Sequence, residues 1–384
     1  MSACRRTWWA VAAAALIAGA CKDGTAPQLS NPQQLSSNLQ TVSSVFGSPA
    51  FQSFGALDSA PGSPVTSSTP AGALLSAARV APLQTSPQPY ADAPARLQAF
   101  RSAATALGSP ISAQVIPSSV WGKTYVWDAT THHYIEDANQ FDASRQGVRI
   151  ILYAVDPTTR HVVEPPVAVG FADLLDESAG NTNQLHVIVK GGTPTNSGPT
   201  YVAYTVNGTV IGTPASAFSA TGVGFVTDGT RRIDFNATFS ATNLTTDNPD
   251  GQVDVHWALD NPVVTVDLHE TVTTPDANNA TLTIDFIYTH GGETVELKGS
   301  VTVVTSPGSV TVDLAVYVNG NSHPSAVVRG TDDASHDGIT ITHEDGSQLT
   351  LDEQDALSRL WELPDRLEAA LEQLFHPARH FMGA

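Results

Sequence analysis

The chain has 384 residues, 18 Lys and Arg against 37 Asp and Glu, a formal net charge of −19 and two cysteines. An acidic excess of this size repels phosphate backbones and excludes nucleic acid as a partner. The N-terminal apolar run, Trp8 to Ile17, is ten residues, about half of what a transmembrane helix needs, and two cysteines cannot build a disulfide framework. The charge is uneven: residues 1–120 hold three acidic side chains (Asp23, Asp58 and Asp92), whereas residues 121–384 hold 34 beside 12 basic ones. A solvated acidic surface on the C-terminal part is the plain reading.

In chain order, Arg5 and Arg6 precede the apolar run, and the small residues Ala18, Gly19 and Ala20 follow it. Positive start, short apolar segment and small-residue cleavage site make a secretory signal over 1–20. Ile17-Ala18-Gly19-Ala20-Cys21 resembles a bacterial lipobox, with Ala18 where the commonest pattern has Leu. The resemblance implies a bacterial lipoprotein in which Cys21 is lipidated and becomes the mature N-terminus. Removal of the signal takes Cys4 with it, so Cys21 is left without a disulfide partner, as an anchor would be. Lys22 stands where an Asp often marks inner-membrane retention, which points the resemblance to the outer membrane. The expected address is the bacterial cell envelope, with the membrane held through the lipid on Cys21.

The stretch 21–57 then holds a short tether and a helix. Asn31 can cap, Pro32 suits the first helical position, and Leu35, Leu39, Val42 and Phe46 share a stripe. Phe51, Phe54 and Leu57 continue the apolar face after Gly47 and Pro49, and the face is expected to pack on the downstream domain. Residues 58–91 hold six prolines among Ser, Ala, Thr and Gly and read as a linker. Residues 92–119 hold a short helix carrying Leu97, Phe100, Ala104 and Leu107.

From residue 120 to 349 the period becomes two. Val253, Val255, Trp257 and Leu259 alternate with Asp254, His256 and Ala258; Ile233, Phe235 and Phe239 form a second row, and Leu282, Ile284, Phe286 and Tyr288 a third. Turn signals separate the runs: Asn207-Gly208, Asp228-Gly229, Asp250-Gly251, Gly291-Gly292, Pro307-Gly308 and Asn319-Gly320. This predicts nine to eleven strands in an antiparallel meander with one wet face. Residues 350–384 supply a cover. Thr350 and Glu353 form a capping box, Leu357, Leu360, Trp361 and Leu367 share a stripe, and Pro364 interrupts it.

The predicted fold is mainly β with α: a large antiparallel meander sheet, an open or half barrel, packed on a C-terminal amphipathic helix, with short N-terminal helices and a disordered linker. A membrane barrel is opposed by the terminal helix and by the absence of aromatic girdles. In outline the predicted architecture is similar to the half-barrel proteins that carry lipids or lipoproteins across the bacterial envelope. That resemblance implies a lipid or other apolar ligand between sheet and helix, at Trp257, Phe286, Trp361 and Leu367, unless these residues are core.

No catalytic constellation appears. GxSxG and the glycine-rich phosphate loops are missing, and His269-Glu270 lacks the second His of a zinc motif. Asp128, His132, His133, Glu136 and Asp137 cluster at a predicted strand–turn–strand, but neighbouring strand residues point to opposite faces and would not share a metal. Asp247, Asn248, Asp250 and Asp254 miss the calcium-loop spacing, and Asp332 to Gly338 is a further acidic turn. Trp121, Tyr125 and Trp127 read as core aromatics, with a sugar or acyl contact as the sharper alternative. The expectation is a non-enzymatic, lipid-anchored protein without cofactor or metal that binds a lipid or protein ligand. The competing expectation is a surface adhesion or scaffold module binding protein or glycan.

Overall fold

The computed structural model describes residues 31–57, 115–179, 182–212, 216–306, 308–332 and 338–360. The signal segment, Cys21, the linker, the helix expected around Leu97, the acidic turn over 333–337, and Trp361 and Leu367 lie outside the described residues. The chain is mainly β, one large open sheet with few helices.

Two short helices come first. In α1 (Pro32–Ser44) Asn31 Oδ1 accepts from the Gln34 N–H at 3.0 Å, so the expected cap is in place. A 3-10 turn (Val45–Gly47) leads to α2 (Pro49–Ala56), where Ser48 Oγ accepts from the Phe51 N–H and Pro49 opens the helix. Phe51, Phe54 and Leu57 are buried. They carry α2 across the strands that begin the sheet, β3 to β6.

The fifteen strands are β1 (Thr124–Asp128), β2 (His133–Glu136), β3 (Gly147–Tyr153), β4 (Ala168–Asp176), β5 (Asn183–Thr193), β6 (Asn196–Ile211), β7 (Ala217–Thr227), β8 (Arg232–Thr242), β9 (Asp250–Leu259), β10 (Val264–Thr273), β11 (Asn279–His290), β12 (Glu293–Val304), β13 (Ser309–Val318), β14 (Ala326–Asp332) and β15 (Thr340–Thr342). From β3 onward each pairs antiparallel with the next, and the order ends β3-β1-β2. β1 runs parallel to β3 through two register pairs, Thr124↔Arg149 and Tyr125↔Ile150. The meander expectation holds except there, where the β1–β2 hairpin joins the sheet beside β3 through a parallel pair and ends it with β2. Fifteen strands replace the nine to eleven expected, because strands as short as β15, three residues, show too little alternation to count. The two edges, β2 and β15, have four and three residues, which offers little unpaired backbone to another chain.

Asn207-Gly208 is not a turn. It lies inside the 16-residue β6, with Asn207 opposite Gln184 on β5 and Thr221 on β7. Pairing on both sides overrides the local preference. Asp250-Gly251 likewise opens β9, after a turn at Asn243 (φ 58°). Asp228-Gly229, Gly291-Gly292 and Asn319-Gly320 do turn the chain, with positive φ at Gly229, Gly291, Gly292, Asn319 and Gly320.

Register aligns one apolar row across eleven strands: Val148, Leu174, Val187, Tyr204, Gly224, Phe235, Trp257, Val266, Tyr288, Val295 and Val318. Gly224 is the one residue in it without a side chain; a Cβ there would collide with the Ala203 carbonyl oxygen, and the flanking Tyr204 and Phe235 rings stand 6.3 Å apart. Phe46 packs edge-on to Trp257 at 6.1 Å, so the N-terminal helical segment covers the middle of the sheet. A helix over 351–360 (α3) joins the same core through Ala356, Leu357 and Leu360. Its capping box forms as expected: Thr350 Oγ1 donates to Glu353 Oε2 at 2.7 Å, and the Glu353 N–H donates to Thr350 Oγ1 at 3.3 Å. No helix among the described residues is long and apolar enough to cross a membrane.

Candidate ligand pocket

Where α2 ends against the β1–β2 hairpin, the core is not filled. A cavity of about 400 Å³ is lined by Ser53, Ala56 and Leu57 from α2 and its end, by Trp127, His132 and Tyr134 from the hairpin, and by the irregular segment 155–164. This is within the usual range for small-molecule sites, about 300–1,000 Å³.

Trp127 and Tyr134 are register partners on β1 and β2. Their side chains therefore share a face, and the rings meet edge to face with centroids 5.5 Å apart. Tyr134 packs in turn on Tyr153 at 6.4 Å, and burial raises the Tyr134 hydroxyl pKa strongly. The Tyr125 hydroxyl, two residues before Trp127, is pushed up to about 12, first by burial and then by the Glu136 charge. The hairpin turn is fastened by Asp128, whose Oδ1 accepts from the Thr130 N–H at 3.0 Å and whose Oδ2 accepts from the Thr131 hydroxyl at 2.8 Å. These bonds, led by the Thr130 N–H, lower the Asp128 pKa. His132 closes the turn with φ 53° and sets its ring 6.1 Å from Trp127.

The third wall repeats this device. Val155 bridges Val162, and between them Asp156 Oδ1 accepts from the N–H groups of Thr158 (2.9 Å) and Thr159 (2.8 Å). The Asp156 pKa is lowered, by the Thr159 N–H first and the Thr158 N–H next. Arg160 leaves this turn at φ 58°. Two of the four non-glycine residues with positive φ among those described, His132 and Arg160, thus line one cavity. A left-handed conformation costs about 1 kcal/mol or more at such residues, and strain of this kind concentrates at binding sites.

The lining has three chemical parts. Ala56, Leu57, Val155, Val162 and the two aromatic rings are apolar. At the polar wall, His132 Nδ1 stands 3.9 Å from Glu164 Oε1, while the Arg160 guanidinium makes no ion pair or side-chain hydrogen bond with a described residue. The third part lies behind the wall: Ser53 Oγ and Trp127 Nε1 belong to lining residues but are buried out of reach of a water-sized group, without a hydrogen-bond partner among the described residues.

Of the four residues expected from sequence at an apolar ligand or core interface, Trp361 and Leu367 lie outside the described residues. Trp257 and Phe286, 2% and 1% exposed, sit in the packed core, with Trp257 between Phe235 (5.3 Å) and Phe46. Neither lines the pocket. Of the hairpin cluster, only His132 does. Glu136 pairs with Lys123 at 2.7 Å, and Asp137 caps the turn at Asn139. Trp127 lines the pocket, Tyr125 is buried, and Trp121 is held by donating Nε1–H to the Ile116 carbonyl at 3.1 Å. Among the described residues no three His, Cys, Asp or Glu side chains are grouped to hold a metal ion. Ser53, Arg160 and His161 were not anticipated. The available signal was Arg160-His161, adjacent cationic-type residues in a strongly acidic region.

Comparison of the chain with protein-family models, with curated proteins and with solved structures gives no significant match in any of the three.

Proposed function

We propose that this is a lipid-anchored envelope protein whose β-domain binds, without transforming it, a small amphiphilic molecule in the pocket between α2, the β1–β2 hairpin and segment 155–164. The observation that carries the reading is the cavity itself, about 400 Å³ and mostly apolar, with one polar wall on which Arg160 makes no ion pair with a described residue. At roughly 30 Å³ for each water-sized group, the volume suits roughly a dozen non-hydrogen atoms. That is the size of a short fatty acid or a substituted aromatic ring, and several times smaller than a diacyl phospholipid. The lipobox-like residues before Cys21 support the anchor. The ten residues from Lys22 to Asn31 span at most about 35 Å, so the domain works close to the membrane surface.

Two measurements test this. Metabolic labelling with a tagged palmitate marks the wild-type chain and not Cys21→Ala; equal labelling of both removes the anchor. Native mass spectrometry of the chain released gently from its membrane shows a stoichiometric adduct of about 150–200 daltons, recovered chemically unchanged. A clean apo mass that takes up no added small amphiphile removes the pocket as a binding site.

A further inference from the structure

The polarity of the lining says which end of an amphiphile it receives. We infer that the pocket selects a small monocarboxylate with a flat apolar body; this rests on the pocket being a binding site at all.

The polar wall offers a donor to an occupant. A guanidinium can only donate, and that of Arg160 makes no ion pair or side-chain hydrogen bond with a described residue. An occupant that satisfies it carries acceptors and negative charge. The acidic side chain in the lining, Glu164, has His132 beside it at 3.9 Å, which leaves Arg160 as the charge that an anion meets. A carboxylate fits a guanidinium with two parallel bonds. The local sign is also unusual. A chain of net charge −19 brings Arg160, His161 and His132 to one cavity where Glu164 is the one carboxylate among the described lining residues, with Asp156 nearby acting on His161. The apolar part is equally specific. The edge-to-face Trp127–Tyr134 pair and the Leu57 and Val162 side chains suit a planar ring better than a branched body.

Binding is followed by saturation-transfer NMR on the full chain in phosphatidylcholine nanodiscs, with empty nanodiscs as the blank. The probes are 3-phenylpropionate, its neutral relative 3-phenylpropan-1-ol and its cationic relative 3-phenylpropylamine. The carboxylate binds at least about tenfold more tightly than either relative, the difference that one charge-assisted contact supplies. Arg160→Gln removes that preference, the carboxylate falling to about the alcohol's affinity; Arg160→Lys keeps a part of it, which separates lost charge from a lost fold. Ala56→Leu, which fills the cavity, abolishes binding of all three. If the alcohol and amine bind as well as the carboxylate and Ala56→Leu still blocks them, the pocket is a site and the anion assignment is wrong. If no probe binds the wild-type chain above the empty-nanodisc blank, the assignment and the binding reading fall together.

Discussion

Two tryptophans stand opposite an aromatic residue on a neighbouring strand, Trp257 facing Phe235 and Trp127 facing Tyr134, with ring centroids 5.3 and 5.5 Å apart. The pairs are chemically alike and end in different places. Trp257 lies in mid-sheet, with long ladders on both sides and Phe46 set on it from the helical segment. Trp127 lies on a five-residue strand, between a four-residue edge strand and a parallel partner held by two register pairs. The same residue type becomes core where the sheet continues and pocket wall where it stops. Distance from the edge, not hydrophobicity, separates a packed side chain from a cavity wall here.

The largest test of that contrast is truncation of the two rings. Trp257→Ala removes a fully packed side chain and should cost about 3–5 kcal/mol in denaturant unfolding. Trp127→Ala removes a ring that already faces a cavity and should cost about 1–2 kcal/mol. Equal costs would mean that the cavity is as tightly packed as the core, and the contrast would go.

Next in size is the fastening of the pocket half. Asp176 is buried and accepts from the N–H groups of Val115 (3.0 Å), Ile116 (3.1 Å) and Ser178 (3.0 Å), fixing the segment that leads into β1. Asp176→Ala strands these donors and should cost about 2–3 kcal/mol. Hydrogen exchange should quicken in β1 to β4 and stay slow in β9 to β12. Uniform loosening of the sheet would show that the two regions are one cooperative unit.

How far these regions were legible in the sequence differs for the same reason. In mid-sheet the alternation of Ile233, Phe235 and Phe239, or of Leu282, Ile284, Phe286 and Tyr288, is long enough to give strand, face and neighbour. The capping box at Thr350 and Glu353 is a local pattern and forms as read. Asn207-Gly208 misled because a local turn preference is weaker than two ladders. The pocket was hidden because Ser53, Trp127 and Arg160 are 74 and 33 residues apart in succession and meet only through the helix-on-sheet packing and the parallel β1–β3 return. No periodicity records a contact of that kind. The aromatic run around Trp127 was visible, but strand alternation assigns such residues to the core, and only the position at the sheet edge opens them.

Acid gives a smaller, local effect. The Asp128 and Asp156 pKa values are lowered by the turn N–H groups that they hold, Thr130 first for Asp128 and Thr159 first for Asp156, with His161 a further influence on Asp156. A carboxyl whose folded pKa lies below its unfolded value, about 3.9, contributes stability that is present above that value. The contribution is lost as pH falls through the folded pKa. Both groups fasten walls of the pocket, so on acidification below about pH 4 the hairpin and the 155–164 turn should loosen before mid-sheet does. Asp156→Asn keeps an acceptor for Thr158 and Thr159 but cannot titrate, and should hold its turn where the wild type loses it. Carboxyl-carbon NMR titration reads the two pKa values directly; ordinary Asp values at both positions would remove the effect.

The smallest change in stability belongs to Trp127→Phe, and it is the most telling about function. The substitution keeps an aromatic partner for Tyr134 and deletes an indole N–H that is buried without an acceptor. In the empty protein a removed orphan donor offsets part of the lost ring area, so unfolding free energy should move by no more than about 0.5–1 kcal/mol. The indole N–H lies out of reach of an occupant, so only the smaller ring wall should count, and binding should weaken by no more than about threefold. A variant that is stable and binds nearly as before shows that the ring of Trp127 serves as a wall of the pocket. A variant that is destabilised by several kcal/mol and binds normally shows instead that Trp127 is core after all, and that the edge of this sheet is packed like its middle.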